Sequence, residues 1–278
     1  MFGTRRTLNI NDLPACLALA ADRGWAPEAD KWRLLLSIGE GWGIDHPDGG
    51  LAGTVILTRH GARIAVISML LVRRDCGGQG IAQGLMRFII NRARNTTTYL
   101  YSTEEAYRLY AKLGFVTVDH LVTHRGRLAA TDPRQGSGSR PFVKKDLPAV
   151  IAVDQAAFGA ERSGLINGLI ALAERVRVTE QNGHITGYGI AWKNLDTIHL
   201  GPIIAPDNET ALRLIVDLAR EQKLAVRLDL SRRHKALSTW AKEQGLVAGK
   251  ETPMMVFKTQ NIPGNRACLY SIAMQATG

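Results

Sequence analysis

The chain has 278 residues, 45% of them hydrophobic, which is enough to bury two cores of moderate size, and it carries a formal net charge of +10. That charge is split evenly, +5 over residues 1–130 and +5 over 131–278, and its densest clusters, Arg73-Arg74 and Ser231 to Lys235, lack interleaved aromatics, so a nucleic-acid surface is not expected. No run approaches eighteen apolar residues, and the opening MFGTRRTLNINDLPA lacks the apolar segment of a secretory signal, so the expectation is a cytoplasmic protein without a membrane partner. Cys16, Cys76 and Cys268 are odd in number and far apart, as reduced thiols would be, and no metal site is expected.

In chain order, residues 4–10 read as a first strand, followed by a helix that Asn11 or Asp12 caps and that runs through Pro14 to about Ala21. A second helix is expected over 29–38 and a Gly-Asp-Pro-rich turn over 41–50. Trp25, Trp32 and Trp42 in this stretch read as core packing, with an aromatic pocket lining as the alternative. Residues 53–59 and 64–72 form a hairpin through His60-Gly61-Ala62. A helix over 81–94, a strand over 97–101, a helix over 104–113 ending at Gly114 and a strand over 115–122 follow.

The junction between residues 72 and 81 carries the first chemical signal. An apolar strand runs into the turn DCGGQG and then directly into a helix with apolar residues at Ile81, Leu85, Phe88 and Ile89. The first N–H groups of such a helix have no intrahelical partner and sit at the positive end of its dipole, so the turn suits a phosphate. Gly77, Gly78 and Gly80 let the backbone approach that anion. Two named phosphate motifs are excluded: there is no G-x-x-x-x-G-K-[ST], and Gln83 stands where G-x-G-x-x-G needs its third glycine.

The second signal is an internal repeat. Residues 125–140 gather Gly, Ser, Pro and charge as a linker does, and beyond them the chain starts again. Asp12-Leu13-Pro14-Ala15 returns as Asp146-Leu147-Pro148-Ala149 and Gly53 as Gly187, both at an offset of 134. LLVRRD at 70–75 returns as IIAPDN at 203–208, and Tyr110 to Phe115 as Trp240 to Leu246. The reading is two domains, 1–128 and 140–278, joined by a linker over 129–139. The second copy has no glycine turn, carries Asp207 and Glu209 at its helix start, where they would repel a pyrophosphate, and has Trp240 in place of Tyr110. It is read as not catalytic.

The turn ending in Gly80 and Ala82, together with Tyr110, Gly114 and Phe115 on the helix beyond it, resembles the GCN5-related N-acetyltransferases (GNAT superfamily), with Gly77 standing where that family carries Arg or Gln. The second half, through Asp154, Phe158-Gly159, Arg162, residues 199–215, VRLDL at 226–230 and Trp240 to Met255, resembles the degenerate C-terminal domain of a bacterial tandem subgroup. The resemblance implies an α/β (α+β) fold of two tandem GNAT-like domains, each a mixed, partly splayed β-sheet flanked by helices. It implies acetyl-CoA as cosubstrate, held by Leu70, Leu71, Val72, Gly77, Gly78, Gln79, Gly80, Ile81, Ala82, Gln83 and Thr103, and direct attack by a small-molecule primary amine with Tyr110 as general acid. The sequence names no base: Glu40, His46, Glu104 and Glu105 are candidates without support from spacing. A protein lysine or N-terminal acetyltransferase and a non-catalytic acyl-CoA-binding regulatory protein stay open as alternatives, and the second half is left either to close the pocket or to form a homodimer surface.

Overall fold

A computed structural model describes residues 4–129 and 138–278. Strand β1 (Arg5–Leu8) leads through a short 3-10 turn into α1 (Leu13–Asp22), with Pro14 in the first turn, where a missing N–H costs nothing. Helix α2 (Ala29–Ile38) and strands β2 (Glu40–Asp45), β3 (Leu51–His60) and β4 (Ile64–Val72) follow. β2 corrects the expected turn over 41–50. Gly41 and Gly43 lie in an extended strand where side chains of Leu8, Leu36 and Leu51 pass within 2.8–3.1 Å of the place of a Cβ, so these glycines make room for packing instead of bending the chain. The half ends with α3 (Ile81–Arg92), β5 (Thr97–Tyr101), α4 (Glu104–Lys112) and β6 (Phe115–Gly126). β6 runs into the start of the expected linker, of which residues 130–137 lie outside the described residues.

The second half comprises β7 (Arg140–Pro141), α5 (Leu147–Phe158), α6 (Ser163–Leu172), β8 (Ala173–Gln181), β9 (His184–Asn194), β10 (Thr197–Ile204), α7 (Asn208–Ala219), β11 (Ala225–Ser231), α8 (Lys235–Glu243), β12 (Val247–Phe257) and β13 (Leu269–Ser271). The repeat extends to hydrogen bonding. Asp12 accepts from the N–H of Asn9 and pairs with Arg6 at 2.9 Å; at an offset of 134, Asp146 accepts from the N–H of Val143 and pairs with Arg140 at 2.6 Å. α4 and α8 both stop at a glycine of positive φ, Gly114 at +98° and Gly245 at +90°, a conformation that favours glycine at a helix end.

All strands join one sheet in the order β1-β2-β3-β4-β5-β12-β6-β11-β13-β10-β9-β8-β7. The halves exchange their last long strands. β12 lies between β5 and β6 of the first half, and β6 pairs with β11 of the second, so neither half completes its sheet from its own segment of chain. Among the described residues two pairs of strands are parallel, β4 with β5 and β10 with β11, each over three residues. Both faces are covered. Alternate residues of β3 show this: Val55 and Leu57 pack under α3 and α4, while Ile56 joins a core on the other face that runs through both halves and takes in Trp32, Phe158, Trp192 and Met274. A third core lies under α7 and α8. Burial on both faces explains why β4 reads as an unbroken apolar run.

In the joint core a buried bidentate pair links Arg162 to Asp154 at 2.7 and 2.8 Å. The hydroxyl of Tyr188 also donates to Asp154, and the Arg162 guanidinium lies 3.9 Å from the centre of the Phe158 ring. This cluster holds the last residues of the chain: Arg162 donates to the Gly278 carbonyl at 2.6 Å, and the His60 ring lies in hydrogen-bond contact, 3.0 Å, with the Thr277 carbonyl. The resemblance residues Asp154, Phe158 and Arg162 are thus the anchor of the tail. Among the described residues no helix is long and apolar enough to cross a membrane.

Candidate active site

β4 and β5 run parallel only at 64–66 and 97–99, and then diverge. Along residues 67–72 the β5-facing edge of β4 is therefore unpaired, while the other edge stays on β3. A one-residue bulge sits in this stretch: Ser68 faces Ile56 and Leu71 faces Thr54, leaving Met69 and Leu70 both opposite Val55. Met69 takes φ +51°, unusual for a residue with a Cβ, and its carbonyl is turned to the Thr54 hydroxyl at 2.9 Å.

The open edge continues into the glycine turn. Gly78 and Gly80 have φ of +74° and +77°, Gly80 being the cap residue of α3, and no acidic residue lies in the first turn of that helix. Its first N–H groups are left for an anion. Gly77 differs: its φ is −61°, and an added Cβ would meet only the Arg74 carbonyl at 3.2 Å. A side chain at position 77 is sterically accessible with a small adjustment.

A cleft of about 720 Å³ follows this path, lined by Leu70, Leu71, Val72, Gly77, Gly78, Gly80, Ile81, Ala82, Gln83 and Thr103. Ten of the eleven expected cofactor residues thus meet in one cleft; Gln79 instead turns its amide to the Asp75 carbonyl at 3.3 Å. The Thr103 hydroxyl caps α4, accepting from the N–H of Ala106. Arg73 lines the cleft, whereas Arg74 is held by Asp22 through its backbone N–H at 2.8 Å and its side chain. The Cys76 thiol is pushed up by burial and by its hydrogen bond to Asp75, which disfavours the thiolate. Near it, His46, Asp75 and Cys76 bring their ligand atoms within 4.8 Å of one another; the Cys76 thiol donates to Asp75, and the Asp48 N–H donates to His46.

Tyr110 is not in the cleft wall, which α4 builds from Glu104, Glu105, Ala106 and Leu109. It lies one turn beyond Ala106 on the same helix face, packed against Phe115 at 6.0 Å, and burial pushes its phenol up to about 12. Of the base candidates, Glu40 is tied to Arg59 and Arg92 on the far side, Glu105 to Arg23 and Glu104 to Lys250.

A second cavity of about 400 Å³ adjoins the cleft, and Trp25 and Thr103 line both. Its walls come from both halves: Glu28, Lys31 and residues 67–69 from the first, Trp192, Asn194, His199 and Arg227 from the second, and Met274, Gln275 and Ala276 from the tail. Of the three early tryptophans Trp25 lines both cavities. Trp32 is in the joint core, and Trp42 packs edge-on against Phe88. Glu28 accepts from Asn194 at 2.6 Å and pairs with Lys31, and both partners help hold its carboxyl below its usual range against burial. His199 is stacked on Trp192 and pushed down to about 4 by burial, so the ring is neutral at pH 7. Sequence reasoning missed this second-half wall because only strand pairing brings residues 192, 199 and 227 beside residues 28 and 31. The signal available in the sequence was His199 within an apolar strand and the alternation of Arg227, Asp229 and Ser231 with apolar residues in the next.

The second half repeats the split and closes it. β10 and β11 run parallel at 197–199 and 225–227, then part, and β13 enters the gap, Ser271 pairing with both Ile203 and Leu230. The irregularity of β10 at Gly201-Pro202 stands at the place of the Met69 bulge, and Gly201 is required there because the Ile272 carbonyl would lie 2.0 Å from a Cβ. At the helix start Asp207 accepts from the N–H of Thr210 at 2.8 Å, occupying the group an anion would need. The chain's own tail fills the slot that stays open in the first half.

Two family models, both described as an acetyltransferase (GNAT) domain, match residues 40–117 and 150–271. Over 275 residues, 98% of this chain and 97% of the relative, the sequence is 27% identical to the uncharacterized N-acetyltransferase YitH of Bacillus subtilis (strain 168). The fold is similar to that of a putative acetyltransferase from Pyrococcus horikoshii, with a TM-score of 0.85 at 16% identity over 99% of this chain and 95% of that one. It is also similar to a tandem GNAT protein from the clavulanic acid biosynthesis pathway, with a TM-score of 0.62 at 14% identity over 91% and 97%. With an open split and glycine turn in one half, a filled split in the other, and a domain match on each, the chain belongs to the GNAT superfamily as a tandem, acyl-CoA-dependent acetyltransferase.

Proposed function

We propose that the protein transfers the acetyl group of acetyl-CoA to a primary amine of a small molecule that enters the 400 Å³ cavity. The observation that carries this reading is the meeting of the two cavities at Trp25 and Thr103, beside the bulge at Met69 and Leu70. In this reading the pantetheine arm pairs with the open edge at Leu70, Leu71 and Val72, and the turn at Gly78 to Gln83 holds the pyrophosphate with main-chain N–H groups. The bulge frees backbone from the β3 ladder at the point where the thioester carbonyl needs a donor. A cavity walled on three sides by Trp25, the second half and the tail supports a small acceptor over an extended peptide lying in a groove.

The amine nitrogen bonds to the thioester carbon as the C–S bond breaks. In this reading Tyr110, one turn behind the Ala106 wall, gives its proton to the departing thiolate once bound CoA parts that wall, and regains one released by the attacking amine through solvent. A phenol at about 12 keeps its proton at neutral pH, as an acid must. The test is a thiol-release assay with acetyl-CoA and a panel of amines. Tyr110→Phe is expected to lower kcat by about 100-fold or more at unchanged acetyl-CoA Kd. Full turnover by that variant would remove Tyr110 from the mechanism, and acetyl-CoA binding without turnover of any amine would favour a non-catalytic role.

A further inference from the structure

Trp192, His199 and Arg227 form a row across three neighbouring strands. His199 faces Trp192 on β9 and Arg227 on β11 in register, so the three side chains share one face, and all three line the cavity assigned above to the acceptor. The chemistry of the row is rich in donors. Arg227 is held rigidly, its Nε and Nη2 donating to Asp229 at 3.0 and 2.7 Å, and Nη1 is the corner that Asp229 does not use. Asp229 is fully buried and is fixed in turn by the Thr123 hydroxyl at 2.7 Å. Trp192 is 1% exposed, and its indole N–H has no acceptor among the described residues; the Nε2 of His199 is also without a partner, 4.0 Å from Asp229. Stacking of the two rings, 5.1 Å apart at 22°, holds the indole in place.

A buried donor without an acceptor is costly, and a bidentate carboxylate that orients a guanidinium leaves the outer corner to bind another anion. The one carboxylate in the cavity wall, Glu28, pairs with Lys31, accepts from Asn194 and shares its charge with Arg227, so it offers little to a second cation while Arg227 keeps its outer corner. We infer that the acceptor carries a carboxylate in addition to its amine, bound by the Arg227 corner against the Trp192 and His199 rings, so that the substrate class is amino acids or short peptides. Simple alkylamines and amino sugars lack the group this row is built to meet. The inference rests on the acetyl-transfer reading for the role of the amine, but not for the binding of the carboxylate.

The experiment uses the full chain with acetyl-CoA and matched pairs that differ by one carboxylate: β-alanine against ethylamine, 4-aminobutanoate against propylamine, and lysine against cadaverine, with glycylglycine and glucosamine alongside. The acids are expected to exceed their matched amines by about 10- to 100-fold in kcat/KM. In Arg227→Gln that ratio collapses toward one, and in Trp192→Phe, which keeps a ring for His199 to stack on, it falls by several-fold; because each ratio is taken within one variant, partial unfolding cancels. Calorimetric titration of the CoA-loaded protein with the same acids gives a second readout independent of turnover. Acids that bind through Arg227 without being acetylated leave the inference standing and sink the acetyl-transfer reading. Equal use of acid and amine, preference for glucosamine, no binding of any acid, or an acid preference that survives Arg227→Gln overturns the inference.

Discussion

The two halves pose one structural problem and answer it in opposite ways. In each, two parallel strands part after three paired residues, exposing unpaired backbone that has to be satisfied. The second half satisfies it with β13 and closes its helix start with Asp207; the first leaves the edge of β4 open and keeps carboxylates away from the start of α3. The lesson is that loss of a cofactor slot freed a position for another use. Filling it anchors the tail, and the tail then runs on to line the cavity proposed for the acceptor with Met274, Gln275 and Ala276. The half whose split is filled supplies a wall of the cavity beside the half whose split stays open.

The largest effect is expected from releasing that tail. Asp154→Asn leaves Arg162 buried without its ionic partner, and urea denaturation should show a loss of about 3–5 kcal/mol, with acetyl-CoA affinity of the folded protein unchanged. An unchanged denaturation midpoint would mean that the tail is not held by this pair. Next is to give the first half the second half's device. Gly80→Asp places a carboxylate at the start of α3 on a residue of φ +77°, and calorimetry should find acetyl-CoA bound about 100-fold more weakly.

Acid should weaken the same joint. Burial holds His60, at the tail, down to about 3 and His199, in the second-half wall, down to about 4, against about 6.5 in an unfolded chain. The unfolded state then binds the proton first on acidification. This contribution is complete above about pH 6.5 and is lost as pH falls toward the folded values, by about 1.4 kcal/mol per pH unit for each imidazole. Denaturation midpoints from pH 7 to 4.5 should fall accordingly, and less steeply in His199→Gln. The smallest effect tests the departure at Gly77. Its φ of −61° accepts a side chain, so Gly77→Gln should tighten acetyl-CoA by a few-fold, about 1 kcal/mol, by adding one donor beside the turn.

Much of the first half was legible in the sequence because it is local. The helix over 29–38 and the strand over 97–101 stand where their apolar spacing puts them, and Gly78 and Gly80 need the positive φ that their place before α3 predicted. β2 was misread because its two glycines signal a bend, and only the side chains of Leu8, Leu36 and Leu51 packed over them show that they make room in a strand. Tyr110 has the motif spacing, yet its distance behind the cleft wall depends on how α4 packs on Phe115.

By itself the sequence determined that the chain is a repeat, that one copy kept a glycine turn while the other gained carboxylates, and which family the turn resembles, since these are properties of short segments whose backbone and charge act locally. The tertiary structure alone decided that β6 and β12 change places, that residues 269–271 fill the second split, and that Trp192, His199 and Arg227 stand in one row facing the first half. Those arrangements join residues far apart in the chain through backbone hydrogen bonds, which nearly any sequence can make and no side-chain pattern therefore announces.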